Sequence, residues 1–266
     1  MAVSAYLFAL TTGAVTRPTM AAMACPEGAF CDSFEKSAVG ASPDGAWSVE
    51  RRGEPSIRID NGDAYRGRQS VKIEAVGKET AFLSLRGAPV FPMADNIIYG
   101  RSMMKLESAP TERVHWTMIE GKGISRDGSQ VIEYRYGGAK PIEEDGIFKG
   151  SRLMANYETP KGQKTDCWHS AKKRTVMPTG RWVCLVFAFD GRENSMTLGI
   201  DGELLDDLSV SGVGQGCMHA PDDYRWEAPI FDQINLGWET YKEDVQRTLW
   251  IDDVAISDRP LSCPEK

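Results

Sequence analysis

A histidine, two tyrosines and two arginines in this sequence could carry proton transfer on an anionic sugar. His115 can accept a proton as a general base, while Tyr241, or alternatively Tyr136, can donate one as a general acid or serve as both base and acid. Arg101 and Arg135 can neutralise a carboxylate. β-Elimination of a uronic acid needs all three functions: the carboxylate is neutralised, a base removes the C5 proton and an acid protonates the leaving oxygen.

Two glutamates allow a different reaction. Glu133 and Glu239 could meet across strands as the carboxylate pair of a glycoside hydrolase, and a separation of about 5–5.5 Å would indicate a retaining mechanism. The sequence has no HExxH motif, no GxxxxGK[ST] loop and no GxSxG motif. These absences argue against zinc proteases, P-loop enzymes and α/β-hydrolases.

The candidate residues must be positioned by β-strands, because the chain consists of short β-rich runs separated by turn signals. Residues 97–106, 114–120, 130–136 and 233–239 are such runs, and Asp-Gly, Asn-Gly and Gly-Gly pairs punctuate the chain. No window has the periodicity of a long amphipathic helix. The pattern predicts an all-β fold, a two-sheet antiparallel β-jelly-roll sandwich that forms a single domain over residues 25–266.

Several of these strands are expected to share one apolar and one polar face, because alternate residues of a strand point to opposite sides. A concave polar face would suit a polysaccharide, whose hydroxyls pair with amides and charged groups. A solvated outer face is the alternative, since antiparallel sheets often bury only one side. The candidate substrate-binding residues are Lys105, Glu133, Asn156, Gln233, Asn235 and Glu239.

The charge balance and the N-terminus indicate the compartment and the partners. The 266 residues carry 31 Lys and Arg against 38 Asp and Glu, a net charge of −7, which argues against nucleic acid as a partner. Residues 3–15 are mostly apolar but too short to span a bilayer, and Ala22-Met23-Ala24 is an A-x-A cleavage pattern. We expect residues 1–24 to be a signal peptide, and the mature chain to be a secreted or periplasmic monomer without a membrane span.

Six cysteines follow the expected cleavage site, at positions 25, 31, 167, 184, 217 and 263. An even number without a CxxC pair favours disulfides in an oxidising compartment over a zinc site. The sequence alone does not choose among the possible pairings. If the two ends of the chain meet in one sheet, Cys25 or Cys31 could pair with Cys263.

Acidic residues near both chain ends could form a cation site. Glu35 lies near the first strand, Asp252 and Asp253 lie in the last, and residues 60–63 form an oxygen-rich turn. Ca²⁺ takes about six to eight oxygen ligands and would suit such a group. The alternative is that these residues are turn acids and a solvated strand end.

The mature chain resembles secreted concanavalin-type jelly rolls, and more closely bacterial secreted proteins akin to the cellulose-induced protein of biomass-degrading fungi. The resemblance covers roughly residues 28–264. It is carried by residues 30–35 (FCDSFE), 65–73 (YRGRQSVKI), 115–120 (HWTMIE), 134–138 (YRYGG), 180–182 (GRW), 189–191 (FDG) and 250–254 (WIDDV).

This resemblance implies a concave groove, kinship to glucuronan and alginate lyases, and a structural Ca²⁺ between the chain ends. Glu35 and Asp253 match the calcium positions best. Alginate lyases of this fold carry a Gln-x-His on a groove strand, whereas the residue two before His115 is Arg113.

Three hypotheses follow for the function. The first is an exported polysaccharide lyase on a uronic-acid polymer, in which His115 and Tyr241 transfer protons while Arg101 and Arg135 hold the carboxylate. The second is a non-catalytic, lectin-like carbohydrate-binding protein that uses the same groove. The third is the glycoside hydrolase with the paired glutamates.

Overall fold

The structure, a computed structural model, describes residues 24–159, 165–172 and 174–264. Apart from Ala24, the predicted signal peptide lies outside the described residues. The described residues form seventeen strands and two short 3-10 helices, Ala94–Asn96 and Asp206–Leu208. The strands are β1 Phe30–Asp32, β2 Trp47–Arg52, β3 Ser56–Asp60, β4 Ser70–Ala75, β5 Thr80–Arg86, β6 Ile97–Leu106, β7 Trp116–Ile124, β8 Val131–Glu144, β9 Ile147–Thr159, β10 Thr165–Ser170, β11 Val183–Asp190, β12 Ser195–Ile200, β13 Glu203–Leu204, β14 Val210–Ser211, β15 Gly216–Met218, β16 Ile230–Thr240 and β17 Arg247–Ser257.

These strands form two antiparallel sheets. The first sheet has the order β13-β12-β11-β6-β17-β4-β3, with β1 added beside β17 and β14 beside β12. The second sheet has the order β15-β10-β9-β8-β7-β16-β5-β2. The predicted all-β, two-sheet jelly-roll sandwich is therefore confirmed.

Aromatic side chains fill the core between the sheets. Trp116 of β7 and Trp238 of β16 stack with ring centroids 5.1 Å apart and are almost completely buried. Phe189 of the first sheet contacts Tyr134 and Phe231 of the second, at 6.1 and 5.9 Å between centroids. Because the apolar residues of both sheets turn inward, the polar residues of the second sheet lie on its outer face.

The chain ends meet in the first sheet, where Phe30 of β1 pairs with Ile256 of β17. The disulfides are Cys25–Cys31, Cys167–Cys217 and Cys184–Cys263. The prediction that Cys25 or Cys31 pairs with Cys263 is wrong. The segment after β17 runs past β6, where Arg101 donates to the Ser262 carbonyl at 3.3 Å, and so brings Cys263 to β11.

Among the described residues, no helix has the length and apolar character needed to cross a membrane.

Candidate functional site

His115 and Tyr241 lie side by side where β7 begins and β16 ends. Trp116 of β7 pairs with Thr240 of β16. His115 directly precedes Trp116 and Tyr241 directly follows Thr240, so the two residues lie next to each other at the end of the ladder. The Tyr241 amide donates to the His115 carbonyl at 3.1 Å, and the two ring centroids are 4.6 Å apart at an angle of 30°. The structure thus brings together the predicted base and acid, both half-buried.

The Tyr241 hydroxyl is held as a hydrogen-bond donor. It donates to a carboxylate oxygen of Glu239, and it lies 3.4 Å from the Thr117 hydroxyl. Burial raises the pKa of Tyr241 well above its usual value, and Glu239 adds to this rise while the charge of Arg135 opposes it. Tyr241 is therefore a neutral phenol at physiological pH, able to give a proton.

His115 is kept neutral by its surroundings. Burial lowers the pKa of its imidazole to about 3, and the positive charge of Arg135 adds to the decrease. A neutral imidazole has one nitrogen available to accept a proton. His115 is therefore unprotonated at physiological pH, as a base must be, but its low pKa also makes it a weak base.

Arg135 is buried and bound on every side of its guanidinium. Nε donates to Glu120 at 3.2 Å, Nη2 to Glu133, and Nη1 to Glu158 and to the Asn156 oxygen at 3.3 Å. Burial disfavours the charge, but the surrounding acids outweigh it and raise the pKa of Arg135. Its donors are occupied, so the structure does not place Arg135 against a substrate carboxylate.

The guanidinium of Arg135 instead lies against the ring of Tyr241. Its Cζ atom is 5.5 Å from the centre of the Tyr241 ring, a cation–π distance. A positive charge there stabilises negative charge that develops on the phenol. Arg135 is therefore a positioning and electrostatic residue of this site.

A network of amides and acids extends from Arg135 across the second sheet. Asn235 donates to Glu120 at 2.7 Å, and Gln233 donates to Asn235 at 2.8 Å and to Glu50 at 2.7 Å. The predicted substrate-binding residues Gln233 and Asn235 do lie together, but they are buried and their amide groups serve this network. Glu120 connects this network to Arg135, because it accepts hydrogen bonds from both Asn235 and Arg135.

Sequence reasoning missed Glu120 because the ladder between β7 and β8 has a bulge. The register shifts between Thr117 and Ile119, so Met118 and Ile119 are both buried in the core. Strict alternation would instead place Ile119 on the polar face and Glu120 on the apolar face. The signal in the sequence is the adjacent apolar pair in the run HWTMIE, which breaks the alternation.

A cleft of about 460 Å³, here called the reaction cleft, adjoins the His115–Tyr241 pair. His115 and the predicted residue Asn156 line it, and Asn156 donates to Asp166 and to the Cys167 carbonyl, each at 2.6 Å. Three cations and one tryptophan among the other lining residues were not predicted as site residues. They are Arg113, Lys140, Trp168 and Lys242.

Those cations stand where an anionic sugar would need them. Arg113 and Lys242 are the exposed neighbours of Val114 and Tyr241, and Lys140 is exposed on β8. Their signal in the sequence is weak, since exposed Lys and Arg are common on any surface. Only the fold shows that they surround one cleft.

Residues 40–259 match the family described as polysaccharide-lyase-like, Cip1-like core domain. This chain belongs to the Cip1-like family. Its structure is similar to that of the cellulose-induced protein Cip1, with a TM-score of 0.58 and 18% identity over 88% of this chain and 100% of that one. It is also similar to an endo-β-1,4-glucuronan lyase from the fungus Trichoderma reesei, with a TM-score of 0.50 and 10% identity over 86% of this chain and 94% of that one. No curated protein matches the sequence.

In this Cip1-like chain, Arg101 and Lys105 lie away from the reaction cleft. Both are on β6 of the first sheet, where Arg101 faces Asp253 and Lys105 forms an ion pair with Asp63 at 2.5 Å. Alternation along a strand predicts which residues share a face, but it does not predict which sheet the strand joins. The structure therefore separates these two residues from His115 and Tyr241.

The paired glutamates of the hydrolase hypothesis are each engaged by different partners. Glu133 binds Arg135 and Lys122, whereas Glu239 binds Tyr241 and Arg52. Their oxygens are occupied by cations and a phenol rather than facing an open cleft. These contacts give the hydrolase hypothesis no support.

Few side-chain oxygens are available to bind Ca²⁺ at the position that the resemblance implies. One Glu35 oxygen accepts the amides of Arg68 and Gln69, at 2.7 and 2.8 Å, and Asp253 lies beside the positive charge of Arg101. Within the described ranges, no group of three or more His, Cys, Asp or Glu side chains could hold a metal ion. The described side chains alone do not supply the roughly six to eight oxygens that Ca²⁺ takes, so no step of the proposed reaction depends on it.

Proposed function

We propose that this Cip1-like protein is a polysaccharide lyase that cleaves a uronic-acid polymer by β-elimination. One observation carries the proposal: the His115 and Tyr241 rings lie 4.6 Å apart beside a cleft lined by Arg113, Lys140 and Lys242. This arrangement combines a neutral base, a protonated acid and cations for the substrate carboxylate. These are the three requirements of the elimination.

The reaction starts with neutralisation of the uronate. Arg113, Lys140 and Lys242 bind its carboxylate and stabilise the negative charge that spreads onto it when C5 loses its proton. His115 takes that proton on its imidazole. The electron pair of the C5–H bond forms the C4=C5 double bond, and the bond between C4 and the glycosidic oxygen breaks.

Tyr241 completes the reaction by protonating the leaving oxygen. The phenolate that remains lies 5.5 Å from the Arg135 guanidinium, which offsets its charge. Glu239 accepts a hydrogen bond from the Tyr241 hydroxyl and so fixes the ring orientation before the reaction. The proton gained by His115 returns to Tyr241 through solvent, which restores both groups.

A non-catalytic carbohydrate-binding protein is the second candidate. The observation that favours it is Trp168, a half-buried indole that lines the reaction cleft, since sugar rings pack well on aromatic faces. A lectin would use Trp168 and the cations alone. It would not need a proton donor beside a base.

We also propose that the protein acts outside the cytoplasm. All six cysteines form disulfides, which persist in oxidising compartments. A lyase that acts on a polymer outside the cell must itself be exported.

The test is the ultraviolet absorbance of the unsaturated uronate. The mature protein is incubated with glucuronan, alginate, pectate and glucuronoxylan, with and without Ca²⁺. We expect an increase on one polymer, its abolition in His115→Ala, and an unchanged rate in His219→Ala, an exposed histidine outside the cleft.

Three other results would change the conclusion. No increase on any polymer, together with retention on a polysaccharide affinity gel, would transfer the assignment to carbohydrate binding. No increase and no retention would overturn both candidates. Full turnover by a correctly folded His115→Ala variant would remove His115 from the mechanism.

A further inference from the structure

A second cleft, here called the edge cleft, lies at the β10–β15 end of the second sheet. Its volume is about 570 Å³, and its lining includes Arg152, His169, Lys172, Asp206 and Asp207. The reaction cleft and the edge cleft each fall in the range of about 300–1,000 Å³ that is usual for small-molecule sites. The edge cleft has no role in the proposed proton transfer.

The two clefts adjoin at the end of β10. Ser170 lines both of them. Its main chain is held by the side chain of Gln215, which accepts from the Ser170 amide at 3.1 Å and donates to its carbonyl at 3.0 Å. The disulfide Cys167–Cys217 links β10 to β15 next to this contact. The boundary between the clefts is therefore fixed, and the two clefts are contiguous at Ser170.

The charges of the two clefts differ. Three cations and one carboxylate, Asp166, line the reaction cleft. Among the described residues, the edge cleft instead has two cations, Arg152 and Lys172, against the two carboxylates Asp206 and Asp207. A uronate in the edge cleft would meet negative charge that the reaction cleft largely lacks.

One of the two carboxylates of the edge cleft, that of Asp207, is fixed there by the local fold. Asp207 accepts the Lys172 amide at 2.6 Å and the Thr175 hydroxyl at 3.0 Å. Asp206 is exposed. His169 adds a polar atom, since its Nδ1 is buried and has no hydrogen-bond partner among the described residues. Balanced charges and such polar atoms suit the hydroxyls of an uncharged sugar.

We propose that the edge cleft binds a neutral sugar of the polymer whose uronate occupies the reaction cleft. The inference rests on the proposed function and deepens it, because it names the substrate class. The substrate is then a mixed polysaccharide in which uronates alternate with, or branch from, neutral sugars. A homopolymer of uronates would place a second carboxylate in a cleft whose two cations are already matched by Asp206 and Asp207.

The test compares the binding of two tetrasaccharides by calorimetry. One consists of glucuronate alone, and the other has one glucuronate and three xylose residues. A Tyr241→Phe background prevents their turnover. We expect the mixed probe to bind more tightly, and Asp206→Asn to reduce its advantage by about two- to fivefold, as for an exposed charge interaction. The control Glu54→Gln removes an exposed carboxylate outside both clefts and should leave the advantage unchanged.

The outcomes separate this inference from the proposed function. Equal or tighter binding of the all-glucuronate probe, or an unchanged ratio in Asp206→Asn, would overturn the inference even if the protein cleaves a uronate homopolymer. A preference for the mixed probe that Asp206→Asn reduces would support the inference. It would do so even if no polymer in the absorbance assay were cleaved, which would overturn the lyase function alone.

Discussion

The Tyr241 amide donates to the His115 carbonyl, and the same two residues place their rings 4.6 Å apart. The backbone contact extends the ladder between β7 and β16 by one residue. The placement of the His115 and Tyr241 rings therefore depends on the alignment of two strands and not on a loop. A site built on rigid elements keeps its geometry without a closing motion.

Removing one oxygen atom from the acid should abolish most of the activity. Tyr241→Phe keeps the ring contacts with His115 and Arg135 but cannot donate a proton. We expect kcat on the cleaved polymer to fall by about 10²–10⁴-fold, the usual contribution of general acid catalysis. Tyr99→Phe, a change on the first sheet, should retain full activity. A Tyr241→Phe variant with normal kcat would assign the acid to another group.

The buried His115 should make stability depend on pH in one window. Its pKa is about 3 in the folded protein and 6.5 ordinarily, so the unfolded chain binds the extra proton between these values. The free energy of unfolding contributed by this group therefore falls as the pH is lowered from about 6.5 towards 3, and is constant above 6.5.

Urea unfolding at several pH values measures this effect. The fall in stability between pH 6.5 and 4 should be smaller in His115→Gln than in the wild type. Equal slopes in the two proteins would show that His115 titrates normally.

Breaking the hydrogen-bond and ion-pair network of Arg135 should reduce the free energy of unfolding. Arg135→Met leaves Glu120, Glu133 and Glu158 buried or half-buried without their shared cation. We expect a loss of about 3–5 kcal/mol in the free energy of unfolding.

An exposed pair provides the comparison. The Arg86 and Asp232 side chains, 3.5 Å apart, are 66% and 44% exposed, so Arg86→Met should cost about 0–1 kcal/mol. Similar losses in Arg86→Met and Arg135→Met would show that the buried network adds no specific stability.

Calcium can be tested by thermal unfolding. Because Glu35 accepts two backbone amides and Asp253 lies beside Arg101, we expect the same Tm in excess Ca²⁺ and in chelator. A Tm that increases with Ca²⁺ and no longer does so in Glu35→Gln would establish the site that the resemblance implies.

The sequence predicted the fold class because alternation and turn residues are local signals. It also predicted that His115, Arg135, Asn156 and Tyr241 would share one region. It could not predict that Arg135 is fully bound by acids, since this depends on side chains contributed by three different strands. Arg135 therefore changed from a substrate-binding candidate to a residue that supports Tyr241.

Other differences between the predictions and the structure arise because some strands pair with strands far away in the sequence. The position of β6 in the first sheet, which moves Arg101 and Lys105 from the site, depends on β11 and β17, far away in the chain. The disulfide partner of Cys263 depends on the path of the segment after β17. Neither relationship leaves a local pattern in the sequence.

The last strand of the chain, β17, lies in the middle of the first sheet between β4 and β6. During synthesis or export, this sheet cannot form until almost the whole chain has been delivered. Strands that pair only over such long sequence separations form slowly. The nascent protein must therefore remain without its native first sheet until its C-terminus emerges, and a prematurely terminated chain would lack the strand that joins the two halves of that sheet.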